Sequence, residues 1–370
     1  MNPTHALHDA GQSLWVDNIT RAMLDGGTLD HYVRDLCVTG LTSNPTIFDH
    51  AIAGTHDYDS AIRARVAEGK RGEDLFFELA CEDLRRAADA FKAVHERSAG
   101  VDGWVSLEVS PLLAYNADAT LRAAEALCKQ VGRPNLFVKI PGTVEGLSAI
   151  EEAIFEGIPV NVTLLFSREH YLAAADAYLR GIERRVQARR DPVVGSVASV
   201  FVSRWDRAVH GKVGASLANK LGLAIAGRAY RAYRDLLASE RWRRLAKLGA
   251  RPQRLLWAST GSKDPAVSDV VYVEGLAAPD TINTMPDATL LAFADHGQCR
   301  SVLPVDGGNA EDVLRAHGEA GIDVDALAER LRREGAESFA ESWRDLLKSI
   351  EAKGKDQAGV RTTSTEHDAV

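Results

Sequence analysis

A single (β/α)8 TIM barrel with additional helices is the fold this sequence predicts, on three observations. Short apolar runs alternate with amphipathic stretches about eight times between residues 13 and 296, the pattern of a parallel sheet built from strand–helix–strand units. No Gly-x-Gly-x-x-Gly follows any of these runs, which weakens a doubly wound nucleotide-binding sheet. No stretch reads as a linker, so residues 1–352 are expected to form one domain, with a tail beyond it.

In chain order, residues 1–12 are a polar lead-in or short helix. Ser13-Leu14-Trp15-Val16-Asp17-Asn18 is the first strand and ends in a carboxylate. Ile19 to Cys37 has helical spacing broken at Gly26-Gly27. Val38 to Asn44 is the second strand, stopped by Pro45. Residues 46–99 are too long for one helix, and Gly54, Gly69 and Gly72 divide them into about three. Trp104 to Val109 is the third strand, and Asp118 to Val131 an amphipathic helix. Asn135 to Pro141 is the fourth strand, closed by Pro141-Gly142. Thr143 caps a helix to Gly157, Pro159 to Leu165 is the fifth strand, and Ser167 caps a helix to Arg190. Val197 to Val202 is the sixth strand, followed by helical sequence from Asp206 to about Leu248. Arg254 to Ser259 is the seventh. Thr281 to Met285 is a weak eighth, with a short helix from Asp287 to His296. Two more helices between Val324 and Ile350, anchored by Leu327, Leu331, Phe339 and Trp343, pack on the barrel's outside or across one end. Residues 353–370 are polar and aperiodic, which predicts a disordered tail.

Composition narrows the function classes. The 370 residues are 45% hydrophobic and 26% charged, ordinary for a folded globular chain that needs no covalent staples. A net charge of −8 argues against a generic nucleic-acid surface. No run of about 18 apolar residues predicts a membrane span, and Met1 to Gly11 has no apolar signal core. Cys37, Cys81, Cys128 and Cys299 lie far apart with no CxxC or zinc spacing, so they read as reduced thiols of a cytoplasmic protein. The histidines show no paired ligand spacing either. Neither a metal nor a membrane or nucleic-acid partner is expected.

The chemistry enters through strand alternation. Leu136, Val138 and Ile140 share one face of the fourth strand, and Phe137 and Lys139 the other. In a parallel sheet covered on both faces Lys139 points into an interior, where an ammonium is costly unless paired or neutralised. It is therefore either half of a structural ion pair or a lysine that gives up its proton so that the free amine attacks a carbonyl and forms a Schiff base. The same alternation puts Asp17 with Trp15, Glu108 with Ser106, Asn161 with Thr163, and Ser199 with Phe201, opposite an aliphatic face in each strand. In the fifth strand that aliphatic face comprises Val160, Val162 and Leu164. The polar groups sit toward the strands' C-terminal halves, where barrel active sites are built. Asp17, Asn44, Glu108, Lys139, Asn161, Thr163 and Ser199 can thus converge at one mouth. Buried polar groups cost free energy unless bonded, so packing alone explains the set poorly. The types are coherent for a covalent aldol site. The lysine imine is the electron sink, Asp17 and Glu108 make separate proton transfers, the asparagines orient hydroxyls and Thr163 holds a water.

A second group follows the later strands. Arg204 opens a helix after the sixth, and Ser259-Thr260-Gly261-Ser262-Lys263 follows the seventh. Singly these read as a surface charge and a plain loop; together, at the same end of adjacent strands, they favour a phosphate site.

At these residues the chain resembles the transaldolases of the longer bacterial type. The resemblance rests on Trp15-Val16-Asp17-Asn18, Thr42-Ser43-Asn44-Pro45-Thr46-Ile47-Phe48, Ser106-Leu107-Glu108-Val109, Val138-Lys139-Ile140-Pro141, Asn161-Val162-Thr163-Leu164-Leu165-Phe166-Ser167, Ser199-Val200-Phe201-Val202-Ser203-Arg204 and Leu256-Trp257-Ala258-Ser259-Thr260. It implies a cofactor-free, metal-free transferase with Lys139 as the Schiff-base residue. Such an enzyme moves a dihydroxyacetone unit from sedoheptulose 7-phosphate to glyceraldehyde 3-phosphate, giving erythrose 4-phosphate and fructose 6-phosphate in the non-oxidative pentose phosphate pathway. It further implies Asp17 as the acid/base at the cleaved hydroxyl, and Glu108 with a water near Thr163 for imine formation and hydrolysis. Asn44 and Asn161 would hold hydroxyls, Ser199 and Phe201 would line the site, and Arg204 and Ser259 would bind phosphate. Some members carry a second arginine after the seventh strand; here Lys263 is the candidate substitute. The chain is expected to be a monomer or homodimer. Two other functions stay open on sequence: a fructose-6-phosphate aldolase-like enzyme that releases dihydroxyacetone, and a non-catalytic barrel that binds sugar phosphates.

Overall fold

Eight parallel strands close into a barrel in chain order: β1 Gln12–Asp17, β2 Val38–Thr42, β3 Trp104–Glu108, β4 Leu136–Pro141, β5 Val160–Leu165, β6 Ser196–Phe201, β7 Arg254–Ala258 and β8 Thr281–Met285, with β8 pairing back onto β1. The structure, a computed structural model, describes residues 2–262 and 264–363. All eight strands fall where the apolar runs placed them.

The alternation separates two apolar bodies. Leu14, Val16, Val105, Leu107, Val138, Ile140, Val160 and Val162 belong to the larger one, between barrel and helices. Trp15, Trp104, Phe137, Val197, Leu256 and Ile282 belong to the second, inside the barrel. Trp104 stacks on Phe137 with ring centroids 4.0 Å apart, and Trp15 follows at 6.2 Å. This plug has a polar floor: Asp102 accepts hydrogen bonds from Ser13 Oγ and from Trp15 Nε1 (2.9 Å), and Arg254 reaches both Asp102 and Ser13. The plug fits only because Gly40 faces it. A Cβ there would lie 2.6 Å from Trp15 and 2.7 Å from the Trp104 carbonyl oxygen.

Strand pairing is irregular in two places, where β2 shifts against β1 between Leu14 and Trp15 and where β5 meets β6. The register of β5 against β6 shifts between Val162 and Leu165, and Leu164 has φ +61°. This bulge turns Leu164 away from Val160 and Val162, into the inner body, and Leu165 takes the outer position. Bulges and left-handed non-glycine residues concentrate near active sites.

Local signals explain the helix starts that matter for the mouth. Asn44 Oδ1, Thr143 Oγ1 and Ser167 Oγ accept hydrogen bonds from the N–H groups of Ile47, Gly146 and His170 at 3.0–3.1 Å, so Pro45–Gly54, Val144–Glu156 and Arg168–Gln187 begin directly at strand ends. Other helices differ from expectation. The β2–β3 connection holds four, Pro45–Gly54, Asp59–Ala67, Gly72–Ala90 and Lys92–Arg97, rather than three. The sequence after β6 forms Ser203–Val209, Leu221–Ala238 and Glu240–Lys247, with residues 210–220 non-helical. Val271–Gly275 and Ala310–Glu319 are additional.

The largest difference is the C-terminal helix. It is one element, Val324–Thr363, where two helices and a tail from residue 353 were expected. The helix starts where Asp323 Oδ1 accepts the Ala326 N–H at 2.9 Å. Within it Lys353 pairs with Asp59 at 2.8 Å. Residues 364–370 of the expected tail lie outside the described residues. This helix crosses the barrel mouth. At one end Glu329 meets His170 (2.8 Å), and farther along Trp343 Nε1 donates to Glu73 Oε1 (2.7 Å) and Ser349 Oγ to Asp49 Oδ1 (2.8 Å). His170 Nδ1 accepts the Phe166 N–H, so its proton sits on Nε2 and is donated to Glu329. Among the described residues no helix is long and apolar enough to cross a membrane.

Because the contacts of a Cβ at Gly40 include backbone, relief requires moving β3 or the plug. Gly40→Ala should lower the free energy of unfolding by about 1–3 kcal/mol in a urea titration, the range for overpacked cores. A change under about 0.5 kcal/mol would show that the plug yields and that Gly40 is not a constraint.

Candidate active site

Lys139 stands two residues beyond Phe137 on the inner face of β4, directly above the aromatic plug. Its Nζ lies 2.8 Å from Glu108 Oε1 on the neighbouring strand and donates to the Ser43 carbonyl oxygen at 2.8 Å. Lys139 and Glu108 are each 6% exposed, so both ions have left water. Burial pushes the Glu108 carboxyl up from its ordinary range, and Lys139 beside it only partly offsets that. The short contact joins a raised carboxyl to the lysine nitrogen in a medium that disfavours charge. Glu108 Oε2 meets no protein donor among the described residues, and neither does the buried Thr163 Oγ1.

Asp17 ends β1. Its Oδ1 accepts from Thr42 Oγ1 at 2.6 Å, and Thr42 Oγ1 in turn lies 2.7 Å from Thr284 Oγ1. Since the Thr42 proton goes to the carboxylate, Thr284 is the donor in the second contact. Burial raises the Asp17 carboxyl as well, with Lys139 and the Thr42 hydrogen bond opposing. On the other side of the mouth, Asn161 is held from both ends of its amide. Ser199 Oγ donates to Oδ1 at 2.7 Å, and Nδ2 donates to Ser106 Oγ at 3.2 Å. Asn44 caps the helix Pro45–Gly54 with its side-chain oxygen, which leaves the amide nitrogen as the end that can meet a ligand.

The two later candidates lie together. Ser203 N–H donates to the Ser259 carbonyl oxygen at 2.9 Å, and the two hydroxyls are 2.9 Å apart. Ser259 has φ +58°, a left-handed conformation that brings the loop after β7 back against β6. The Arg204 guanidinium, one residue beyond Ser203, sits 4.9 Å from the Phe201 ring centroid and 5.7 Å from that of Phe339. No carboxylate forms an ion pair with it among the described residues. Burial and the neighbouring Arg207 push it down to about 10. Lys263 lies outside the described residues.

Glu108, Lys139, Pro141, Thr163 and Leu164 line one pocket, and Ala336 and Phe339 from the C-terminal helix close its side. Three contributors were not singled out from the sequence. Thr42 and Thr284 orient Asp17. Thr284 is two residues beyond the inward Ile282, so the period-two argument applied to β8 would have found it. Phe339 had no such signal, since its helical spacing reads only as core.

Asp17 gives a test of the electrostatics. A carboxyl raised in the folded state binds protons more tightly there than in the unfolded chain, so stability falls as pH rises from about 4 through the raised value. Asp17→Asn removes that loss. The variant should match the parent in melting temperature at low pH and exceed it by a few degrees at pH 8. Equal melting temperatures at pH 8 would refute a strained Asp17.

The chain is similar to known proteins over most of its length. The family model described as Transaldolase/Fructose-6-phosphate aldolase matches residues 14–350. A protein named Transaldolase from Saccharopolyspora erythraea is 46% identical over 353 residues, 93% of this chain and 96% of the relative. One of the same name from Frankia alni is 44% identical, covering 94% of this chain and 96% of the relative. Transaldolase 2 of Nostoc punctiforme is 40% identical, covering 96% and 99%. With the match running from β1 into the helix that closes the pocket, the chain belongs to the transaldolase/fructose-6-phosphate aldolase family.

Proposed function

We propose that this chain is a transaldolase that moves a dihydroxyacetone unit between sugar phosphates through an imine on Lys139. The observation that carries the reading is the desolvated Lys139–Glu108 contact at 2.8 Å, flanked by a second raised carboxyl at Asp17. Glu108 takes the Lys139 proton, and the free amine adds to the C2 carbonyl of the donor ketose. Loss of water from the carbinolamine, with Glu108 returning the proton and Thr163 Oγ1 holding the water, gives the iminium. Asp17 then takes the proton of the C4 hydroxyl, the C3–C4 electrons flow into the iminium, and an aldose phosphate leaves. The enamine stays on Lys139 until an acceptor aldehyde re-forms the bond. Asp17 returns its proton to the new hydroxyl, and water hydrolyses the imine. Asn44 and Asn161 hold the dihydroxyacetone hydroxyls, Ser199 fixes the Asn161 amide, and Phe201 walls the site. Arg204 and Ser259 take the phosphate, with Lys263 as a further cation.

The preferred direction is from sedoheptulose 7-phosphate to glyceraldehyde 3-phosphate. Transfer is favoured over release of free dihydroxyacetone because relatives named transaldolase align over nearly their whole length. The pocket wall from the C-terminal helix also keeps water from the enamine. We place the enzyme in the cytoplasm, consistent with four free cysteines.

Borohydride added to protein incubated with fructose 6-phosphate should leave the reduced adduct on Lys139, read by peptide mass. Addition of erythrose 4-phosphate should instead yield sedoheptulose 7-phosphate. An unmodified Lys139, in a sample where a known transaldolase is labelled alongside, would overturn the mechanism. Glu108→Gln should slow adduct formation by about 10²–10⁴-fold. Trapping at the parent rate would remove Glu108 from proton transfer.

A further inference from the structure

We propose that Phe339, on the C-terminal helix, is a positioning residue that holds the Arg204 guanidinium for the substrate phosphate and so sets the preference for phosphorylated substrates. The inference rests on the reading of Arg204 as the phosphate cation. Arg204 is a mostly buried charge that forms no ion pair with a carboxylate among the described residues, Glu108 acting on it only from a distance, and such a cation needs another source of stabilisation. Its surroundings supply aromatic faces: Phe201 from its own strand end at 4.9 Å, and Phe339 at 5.7 Å. The two rings are 6.5 Å apart and inclined at 61°, so the cation lies in an angle between them.

The helix is shaped for this contact. Gly335 sits one turn before Phe339, inside the helix, where glycine is unfavourable relative to alanine. A Cβ at that position would lie 3.1 Å from Arg204 Nη1 and 3.1 Å from Leu164 Cδ2. Gly335 therefore gives the guanidinium room, and Phe339 gives it a surface. Aromatic faces hold a cation without neutralising it, whereas a carboxylate would compete with the incoming phosphate. The side chains of Ala336 and Phe339 also line the pocket of Lys139, so the same turn joins the two ends of the substrate site.

The test compares acceptors. In a double-displacement reaction, kcat/KM for the acceptor reports only the half-reaction with the enamine enzyme, so the donor's phosphate does not enter. The quantity read is the ratio of kcat/KM for glyceraldehyde 3-phosphate to that for glyceraldehyde. Arg204→Ala, the control for the phosphate reading, should collapse the ratio by at least about tenfold. Phe339→Leu should lower it about twofold to fivefold, the scale of one cation–aromatic contact, and Phe339→Tyr should restore it. The unphosphorylated acceptor reports folding and chemistry in the same samples. A collapse with Arg204→Ala but an unchanged ratio with Phe339→Leu would overturn the role of Phe339 and leave the phosphate reading standing. An unchanged ratio with Arg204→Ala would overturn both.

Discussion

Two opposite charges held 2.8 Å apart inside a barrel, Lys139 and Glu108, are the constraint around which this structure is organised. Each ion has lost most of its hydration, a cost of several kcal/mol that mutual attraction repays only with good geometry and further partners. The architecture supplies both. Adjacent parallel strands β3 and β4 put the two side chains in register, and the Ser43 carbonyl oxygen at the end of β2 takes a second ammonium proton. Below them the Trp15, Trp104 and Phe137 stack excludes water and fixes the depth at which Lys139 stands.

The remaining polar groups divide by whether they are satisfied. Asp17, Asn161 and Ser199 are oriented by neighbouring side chains, through Thr42 and Thr284 on one side and Ser106 on the other. Among the described residues Glu108 Oε2 and Thr163 Oγ1 meet no hydrogen-bond partner although buried. Orphaned polar atoms are rare in folded proteins, and here they face the pocket that also holds Lys139. Orientation by fixed hydrogen bonds and spare capacity toward a cavity are the two requirements of a preorganised site. Left-handed backbone occurs there too, at Leu164 and Ser259, near the ends of the strands on either side of β6.

The sequence carried the barrel far because its physics is local. Side chains alternate along most of each strand, and apolar runs stopped by proline, glycine or a capping residue locate each strand to within a residue or two. The polar residues at strand ends were legible for the same reason. Where the structure departs from local preference, a non-local contact overrules it. The bulge at Leu164 depends on how β5 pairs with β6. Gly335 and Gly354 lie inside Val324–Thr363 without ending it, because pairs with Asp49, Asp59, Glu73 and His170 fix that helix along its length.

By itself, then, the sequence determined the eight-stranded barrel, the inward phase of Asp17, Glu108, Lys139, Asn161, Thr163 and Ser199, and the end of the barrel at which they meet. Only the tertiary structure decided which of those groups touch. It pairs Lys139 with Glu108, ties Asp17 to Thr42 and Thr284, and closes the pocket with Phe339, two hundred residues of chain after Lys139. The physical reason is that periodicity states which way a side chain points, whereas contact between distant elements depends on barrel closure and on the path of one long helix across its mouth.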